Sequence, residues 1–309
     1  MRILYFGSSE LSSQLLEFIA ESGEDIVGVV TQPPRPGGRG YKLVPTPVYK
    51  VAKDMGLSVF TPERLNTKEM VKNLNNLKPD IILLFAYGVI VGKRILSIPK
   101  LGAVNFHPSL LPLYRGAAPI NRAIMAGERR TGVTLFFMNE ELDAGDILLQ
   151  REFPVSVMDD ECVVQEKVLE VGKEMMAELL DRLPRGELTP TPQDHTKATF
   201  APKIEKEELI IDWNKSAMEI HNLVRAVNCS YVAHTSFRGQ NLKVYRTTPL
   251  DGKSGKRPGE IVSLRGGLVV SAGKGLVLLR EIQPPGRRRM DSMSFINGYR
   301  PRVGEILGG

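Results

Sequence analysis

The sequence is poor in cysteine and histidine, and it has no long apolar run. Of its 309 residues, two are cysteine and four are histidine. Cys162 and Cys229 lie too far apart to form a metal-binding or redox motif. The opening stretch MRILYFGSSELSS, with one arginine and a very short apolar run, is not an export signal. The expected setting is therefore a reducing cytoplasm. No apolar run approaches the ~20 residues that cross a bilayer; the longest, 81–92 (IILLFAYGVIVG), is strand-like and contains a turn signal. Glycine-rich phosphate loops are also missing. The first strand is followed by GSSEL rather than G-x-G-x-x-G, and there is no Gly-Lys-Ser/Thr loop, which excludes dinucleotide and P-loop chemistry.

What remains is ordinary globular material, 42% hydrophobic and 25% charged, enough to bury full cores. The length favours two domains over one. The net charge of +6 is unevenly spread. Residues 31–53 contain Arg35, Arg39, Lys42, Lys50 and Lys53 with no acid, and from Lys253 onward eleven Lys or Arg face only Glu260, Glu281, Asp291 and Glu305. A basic balance permits binding to a polyanion without establishing it.

The first half alternates strand and helix signals. Strands are expected at 2–6, 25–30, 80–85, 103–106 and 133–137, and helices at 10–22, 47–55, 67–77 and 160–183. That alternation implies an α/β fold with a doubly wound, mostly parallel, Rossmann-like sheet. A Pro- and Thr-rich stretch at 184–204 reads as a linker. Beyond it, a helix at 216–227 precedes five short strands at 235–237, 242–245, 260–263, 268–271 and 276–282, which suggest a small OB-like β-barrel. The expected domains are 1–184 (catalytic), 185–205 (linker) and 206–309 (barrel).

Chemistry is concentrated in Asn105-Phe106-His107-Pro108-Ser109 and in the turn Leu142-Asp143-Ala144-Gly145-Asp146. Strand alternation puts Asn105 and His107 on one face at the carboxyl end, with Phe106 turned away. Ligands of open α/β sheets bind at that end. An amide donor, an imidazole and a carboxylate suit acyl transfer: Asn105 to hold an oxyanion, His107 and Asp143 to handle protons. No Ser or Cys sits beside a base, so direct transfer is favoured over a covalent acyl-enzyme. His195, His221 and His234 are read as structural.

NFHPSLLP followed by YRGAAPI, with LDAGDIL further on, closely resembles the folate-dependent formyltransferases. The resemblance implies Asn105, His107 and Asp143 as the catalytic set and 10-formyltetrahydrofolate as co-substrate, with no metal. It also implies that Phe85, Ala86, Tyr87, Gly88, Val89 and Ile90, with Ser109, Leu110, Leu111, Pro112, Asn139, Leu142 and Gly145, hold the folate. Segments 31–48 and 199–213 resemble the branch of that family whose acceptor is methionine on initiator tRNA. In that branch the expected RNA contacts are Arg35, Arg39 and Lys42 on the first loop, and Lys203, Lys206, Arg287, Arg288 and Arg289 on the barrel side. A cytoplasmic monomer without membrane contact is expected. The chain departs from the family where Asn-Pro-x-Pro-Gly is common after the first barrel helix; here Asn228-Cys229-Ser230-Tyr231-Val232 has no proline. Two alternatives stand beside this reading. One is a formyltransferase acting on a nucleotide-linked sugar amine. The other is an RNA-binding protein on a decayed enzyme scaffold, which the intact Asn105, His107 and Asp143 oppose.

Overall fold

The computed structural model describes residues 1–37, 42–252 and 255–308; Arg39 of the expected RNA-contacting loop lies outside them. In chain order the elements are β1 (Arg2–Gly7), α1 (Glu10–Glu21), β2 (Asp25–Val30), β3 (Arg35–Gly37), β4 (Lys42–Val44), α2 (Pro47–Asp54), β5 (Val59–Phe60), α3 (Lys68–Asn76), β6 (Ile81–Phe85), α4 (Lys93–Leu96), β7 (Ala103–His107), β8 (Arg115–Gly116), α5 (Pro119–Ala126), β9 (Arg130–Phe137), β10 (Ile147–Pro154) and α6 (Glu161–Arg182). They continue with β11 (Phe200–Ala201), α7 (Ala217–Val227), β12 (Ala233–Phe237), β13 (Gln240–Leu250), β14 (Ile261–Ser263), β15 (Leu268–Ser271), β16 (Leu276–Gln283), β17 (Met290–Asp291) and α8 (Ser292–Tyr299). Two compact units result. One comprises Met1–Pro119, Thr131–Phe153 and Gln165–Ala201; the other comprises Ile120–Arg130, Pro154–Val164 and Pro202–Gly309.

The first unit is built on a seven-stranded sheet, order β10-β9-β7-β6-β1-β2-β5. The pairs β1–β2, β1–β6, β6–β7 and β2–β5 are parallel, and β7–β9 is antiparallel. The mostly parallel Rossmann-like sheet is thus present. Chain order runs outward from β1 on one side and then from β6 on the other, which puts the topological switch point between those strands. β6 and β7 are buried along their whole length, as strands covered on both faces must be. Side-chain caps fix the helix starts: Ser9 accepts from the Ser12 amide, Thr46 from Tyr49, with Pro47 in the first turn, and Thr67 from Met70. Gly172 of α6 crosses directly over Phe106, where any Cβ would lie 2.2 Å from the ring. Phe106 in turn packs on Phe85 with ring centres 4.2 Å apart.

Several elements escaped the sequence pattern. β10 shows no clean alternation of burial, as befits a sheet edge. The segment 31–48, expected as a loop, contains the antiparallel ribbon β3–β4, with Pro36 and Gly37 inside a strand, against propensity. The 184–204 stretch is tied down rather than slack. Thr191 exchanges two 2.8 Å backbone hydrogen bonds with Ile147, and β11 pairs in parallel with β8. Prolines and threonines there signal the absence of long regular elements, not the absence of anchoring.

The second unit holds an antiparallel sheet, order β12-β13-β16-β15-β14, with β17 beside β16. Helix α7 starts with a Ser216/Glu219 capping box. Its Arg225 is buried and donates to the carbonyls of Ser156, Asp159 and Ile124, so the early segments of this unit are bonded into it. Asn121 donates to the Ala226 carbonyl at 2.7 Å. Buried Glu161 accepts from the Cys229 and Ser230 amides, the Ser230 hydroxyl and the Asn121 amide. The neighbouring Cys162 is disulfide-bonded to Cys229, Cα–Cα 5.6 Å across 67 residues. The cysteines, which carried no spacing signal, are therefore paired, against the expectation of a reducing setting, and they are paired where the proline-rich family pattern is missing. No described helix is long and apolar enough to cross a membrane.

Candidate functional site

The carboxyl ends of β6 and β7 carry the site, beside the switch point. Asn105 and His107 project from the same face of β7 toward one carboxylate, that of Asp143. Asn105 Nδ2 lies 3.5 Å from Asp143 Oδ1, and His107 Nδ1 lies 3.6 Å from Asp143 Oδ2. The Gly116 amide donates to Asp143 Oδ2 at 2.8 Å. The three residues singled out from the sequence therefore converge. Three non-glycine backbone positions here are unusual, the first being Ala86 with φ of 49°. Tyr114 and Asp143 have φ of 60° and 48°, the left-handed region that non-glycine residues rarely occupy, and such positions cluster at functional sites. Gly145 tolerates no side chain, since a Cβ would lie 1.7 Å from the Phe137 carbonyl oxygen.

His107 is buried, and its Nε2 bonds the Tyr114 carbonyl at 2.9 Å. A carbonyl only accepts, so Nε2 carries a proton and Nδ1 faces Asp143. Burial holds the imidazole pKa below 6.5, although the Asp143 charge and the Tyr114 carbonyl oppose that shift. At neutral pH the ring is neutral and Nδ1 is free to take a proton. Protonation removes that capacity, so kcat/KM should hold above the lowered His107 value and fall as pH drops through it. A pH–rate profile checks this, and an acid limb centred above pH 6.5 would contradict it.

Asn105 is only 7% exposed, and its Oδ1 has no hydrogen-bond partner among the described residues. The long contact to Asp143 leaves the Nδ2 group with donor capacity as well. The amide thus offers both an acceptor and a donor to whatever enters, which fits a formyl group meeting an amine. Apolar surface lies on the adjoining loops: Val89 and Leu142 are exposed, and Ile90 is 83% exposed. Such surface suits the flat ring of a folate.

The residues expected to hold folate divide into two groups. Ala86, Gly88, Val89, Ile90, Asn139 and Leu142 are exposed, and Leu110 and Pro112 are half-buried. Phe85, Tyr87, Ser109, Leu111 and Gly145 are buried. Phe85 packs on Phe106, and Tyr87 sits edge-on to Phe6 at 5.3 Å. Ser109 Oγ donates to the Leu113 carbonyl and Thr134 Oγ1 donates to the Ser109 carbonyl, so Ser109 fixes the exit loop. A cleft of about 330 Å³, lined by Gln32, Arg35, Glu63, Leu65, Tyr87, Val89 and three prolines, opens beside these loops. Arg35 and Lys42 in the first unit, and Lys203, Lys206, Arg287, Arg288 and Arg289 in the second, are all exposed. The Arg289 guanidinium lies 3.6 Å from the centre of the Tyr245 ring.

Sequence reasoning missed three side chains around Asp143. Arg115 is buried, Gln193 joins Arg115 to the Asp143 loop, and Thr199 Oγ1 accepts from the Tyr114 amide. His195, read as structural, accepts from Arg115 Nη2 through Nδ1 at 3.3 Å. Arg115 lies inside the motif and was open to detection; Gln193, Thr199 and His195 sit in a stretch without periodicity.

Known proteins resemble the chain along its whole length. Residues 1–180 match the family described as "Formyl transferase", and residues 203–300 match "Formyl transferase, C-terminal domain". The chain is 41% identical over 310 residues to the methionyl-tRNA formyltransferase of Thermotoga neapolitana, covering 100% of this chain and 99% of that one. It is 37% identical to the corresponding Bacillus subtilis protein, over 99% of this chain and 98% of the relative. Among solved structures, HypX from Aquifex aeolicus shares the fold at TM-score 0.67 and 22% identity, over 99% of this chain and 48% of HypX. An N-formyltransferase from Helicobacter canadensis does so at TM-score 0.65 and 18% identity, over 92% of this chain and 99% of that one.

Proposed function

The chain belongs to the formyl transferase family, and on that premise we propose that it transfers the formyl group of 10-formyltetrahydrofolate directly to the free amino group of methionine on initiator tRNA. The observation that carries the chemistry is the convergence of Asn105 and His107 on Asp143, with a buried amide oxygen left without a partner. The full-length similarity to methionyl-tRNA formyltransferases supports the acceptor.

Folate supplies an activated formyl group. The amine forms the new C–N bond to the formyl carbon, and the bond from that carbon to the folate nitrogen breaks. Asn105 donates to the formyl oxygen as negative charge gathers there. Asp143 and the Nδ1 of His107 take the proton shed by the amine, and the same pair returns one to the departing folate nitrogen. Ala86, Val89, Ile90 and Leu142 offer the folate an apolar wall, with Leu110, Pro112 and Asn139 at its edge. Arg35, Lys42, Lys203, Lys206, Arg287, Arg288 and Arg289 supply phosphate contacts to the tRNA. The enzyme acts as a monomer in the cytoplasm.

Incubation with 10-formyltetrahydrofolate and methionine-charged initiator tRNA should yield formyl-methionine on the tRNA, and no product in that assay would overturn the assignment. Binding of the charged tRNA should weaken by about 10²-fold or more between roughly 50 and 200 mM salt, because several phosphate contacts release counterions. A filter-binding titration measures this. A flat response would point instead to a small acceptor such as a nucleotide-linked sugar amine.

A further inference from the structure

Residues 191–201 bear on the site through one side chain. Gln193 is 5% exposed, and its primary amide is fully engaged. Its Oε1 accepts from Arg115 Nη2 at 2.6 Å and Nε at 3.2 Å. Its Nε2 donates to the Asp143 carbonyl at 2.9 Å and the Gly145 carbonyl at 2.7 Å. Both hydrogens thus go to the turn that carries the carboxylate, and the oxygen goes to the loop that follows β7.

These contacts close a ring. The Asp143 carboxylate accepts from the amide of Gly116, the residue after Arg115. Arg115 reaches Gln193, and Gln193 returns to the backbone carbonyl of Asp143. Asp143 needs such a clasp, because its φ of 48° is sparsely populated and persists only where the surroundings over-determine it. Backbone bonds from Thr199 and Ala201 hold the other side of the ring: Arg115 donates to the Thr199 carbonyl and Ala117 to the Ala201 carbonyl, each at 2.9 Å.

The geometry points to Gln193 as a positioning residue for the transfer reaction, acting through the Asp143 backbone to set the carboxylate against Asn105 and His107. The inference rests on the proposed roles of those three residues. The hydrogen bonds of Gln193 go to Arg115 and to backbone carbonyls, not to the side chains of Asn105, His107 or Asp143. Its influence comes through placement, and small misplacements of a reacting group are costly, up to about 10²-fold for 1 Å.

The amide has two different ends, which separates positioning from general support. Gln193→Glu keeps the acceptor for Arg115 but replaces both donors with a carboxylate oxygen facing two carbonyls. Gln193→Leu removes both ends. The test measures kcat and KM for folate and tRNA, the pH–rate profile and thermal unfolding for both variants, alongside Asn105→Ala. The expected result is a kcat loss of about 10- to 100-fold in Gln193→Glu, at least as large as in Gln193→Leu. KM should change by less than about 3-fold, and the acid limb of the profile should move by about half a pH unit or more. If Gln193→Leu does not fold, Gln193→Glu, anchored by Arg115, carries the test alone. Near-parental kcat in folded Gln193→Glu overturns the inference, and so does a kcat loss that only tracks the folded fraction with the pH profile unmoved. Should Asn105→Ala also remain active, the site reading fails together with it; inactive Asn105→Ala beside active Gln193→Glu removes only the positioning role.

Discussion

Asn105→Ala is expected to lower kcat by about 10²–10³-fold while the protein stays folded. In the proposed mechanism the Asn105 amide is the donor where charge develops on the formyl oxygen, and removing one such donor typically carries that cost. Structurally, its removal is cheap, since Nδ2 makes one 3.5 Å contact and Oδ1 makes none among the described residues. Activity and stability should therefore separate cleanly. Asp143→Ala and His107→Ala should each lose about 10²-fold or more. Asp143 also accepts the Gly116 amide, so Asp143→Asn is the better control for folding. With the three acting as the proposed unit, the Asn105→Ala/Asp143→Ala double variant should fall little below the worse single variant. Quenched assays of formyl-methionine on tRNA, run beside thermal melts, check all of these. A folded Asn105→Ala protein with kcat within a few-fold of the parent would remove the oxyanion role.

Cys229→Ser is expected to destabilise the second unit by about 4 kcal/mol. The crosslink to Cys162 closes a 67-residue separation, and a loop of that size restricts the unfolded chain by about that amount. For a unit of this size the loss corresponds to a fall in Tm of roughly 15 °C. Calorimetry should give the same melting temperature for reduced parent and for Cys229→Ser, both below oxidised parent. Coincident melts for all three would show that the crosslink contributes nothing. Formyl transfer at a temperature well below the melts should be unchanged, because neither cysteine lies in the unit that contains Asn105.

The parts of this protein written locally were the parts legible in the sequence. β6 is a continuous apolar run and could hardly be missed; β10, an edge strand with irregular burial, has no period to read. The pairing of Asn105 with His107 followed from strand alternation alone, since residues two apart share a face. Asp143 was legible as a turn, but the carboxylate's reach depends on a left-handed backbone that local sequence does not announce for a non-glycine residue. Gln193 was invisible for a different reason. Its four hydrogen bonds go to residues 48 to 78 positions away, and a lone glutamine among prolines and threonines has no partner to suggest it. The disulfide is the same case: two cysteines separated by 67 residues have no spacing rule, and only the fold brings them together. Burial within the expected folate wall was also hidden. Phe85 and Tyr87, which the resemblance places in that wall, pack on Phe106 and Phe6.

The composition of the second unit has a consequence for how such chains can be exchanged in evolution or in the laboratory. A graft that takes only the residues after the 184–204 stretch leaves behind Ile120–Arg130 and Pro154–Val164. It would strand Arg225 without the carbonyls of Ser156, Asp159 and Ile124, Cys229 without Cys162, and the turn at Ser230 without Glu161. The heritable module is discontinuous. A recombination point that respects it must bring along two short passages from the first half of the sequence, so chimaeras cut at the single obvious seam should misfold unless the donor and host already match at those passages.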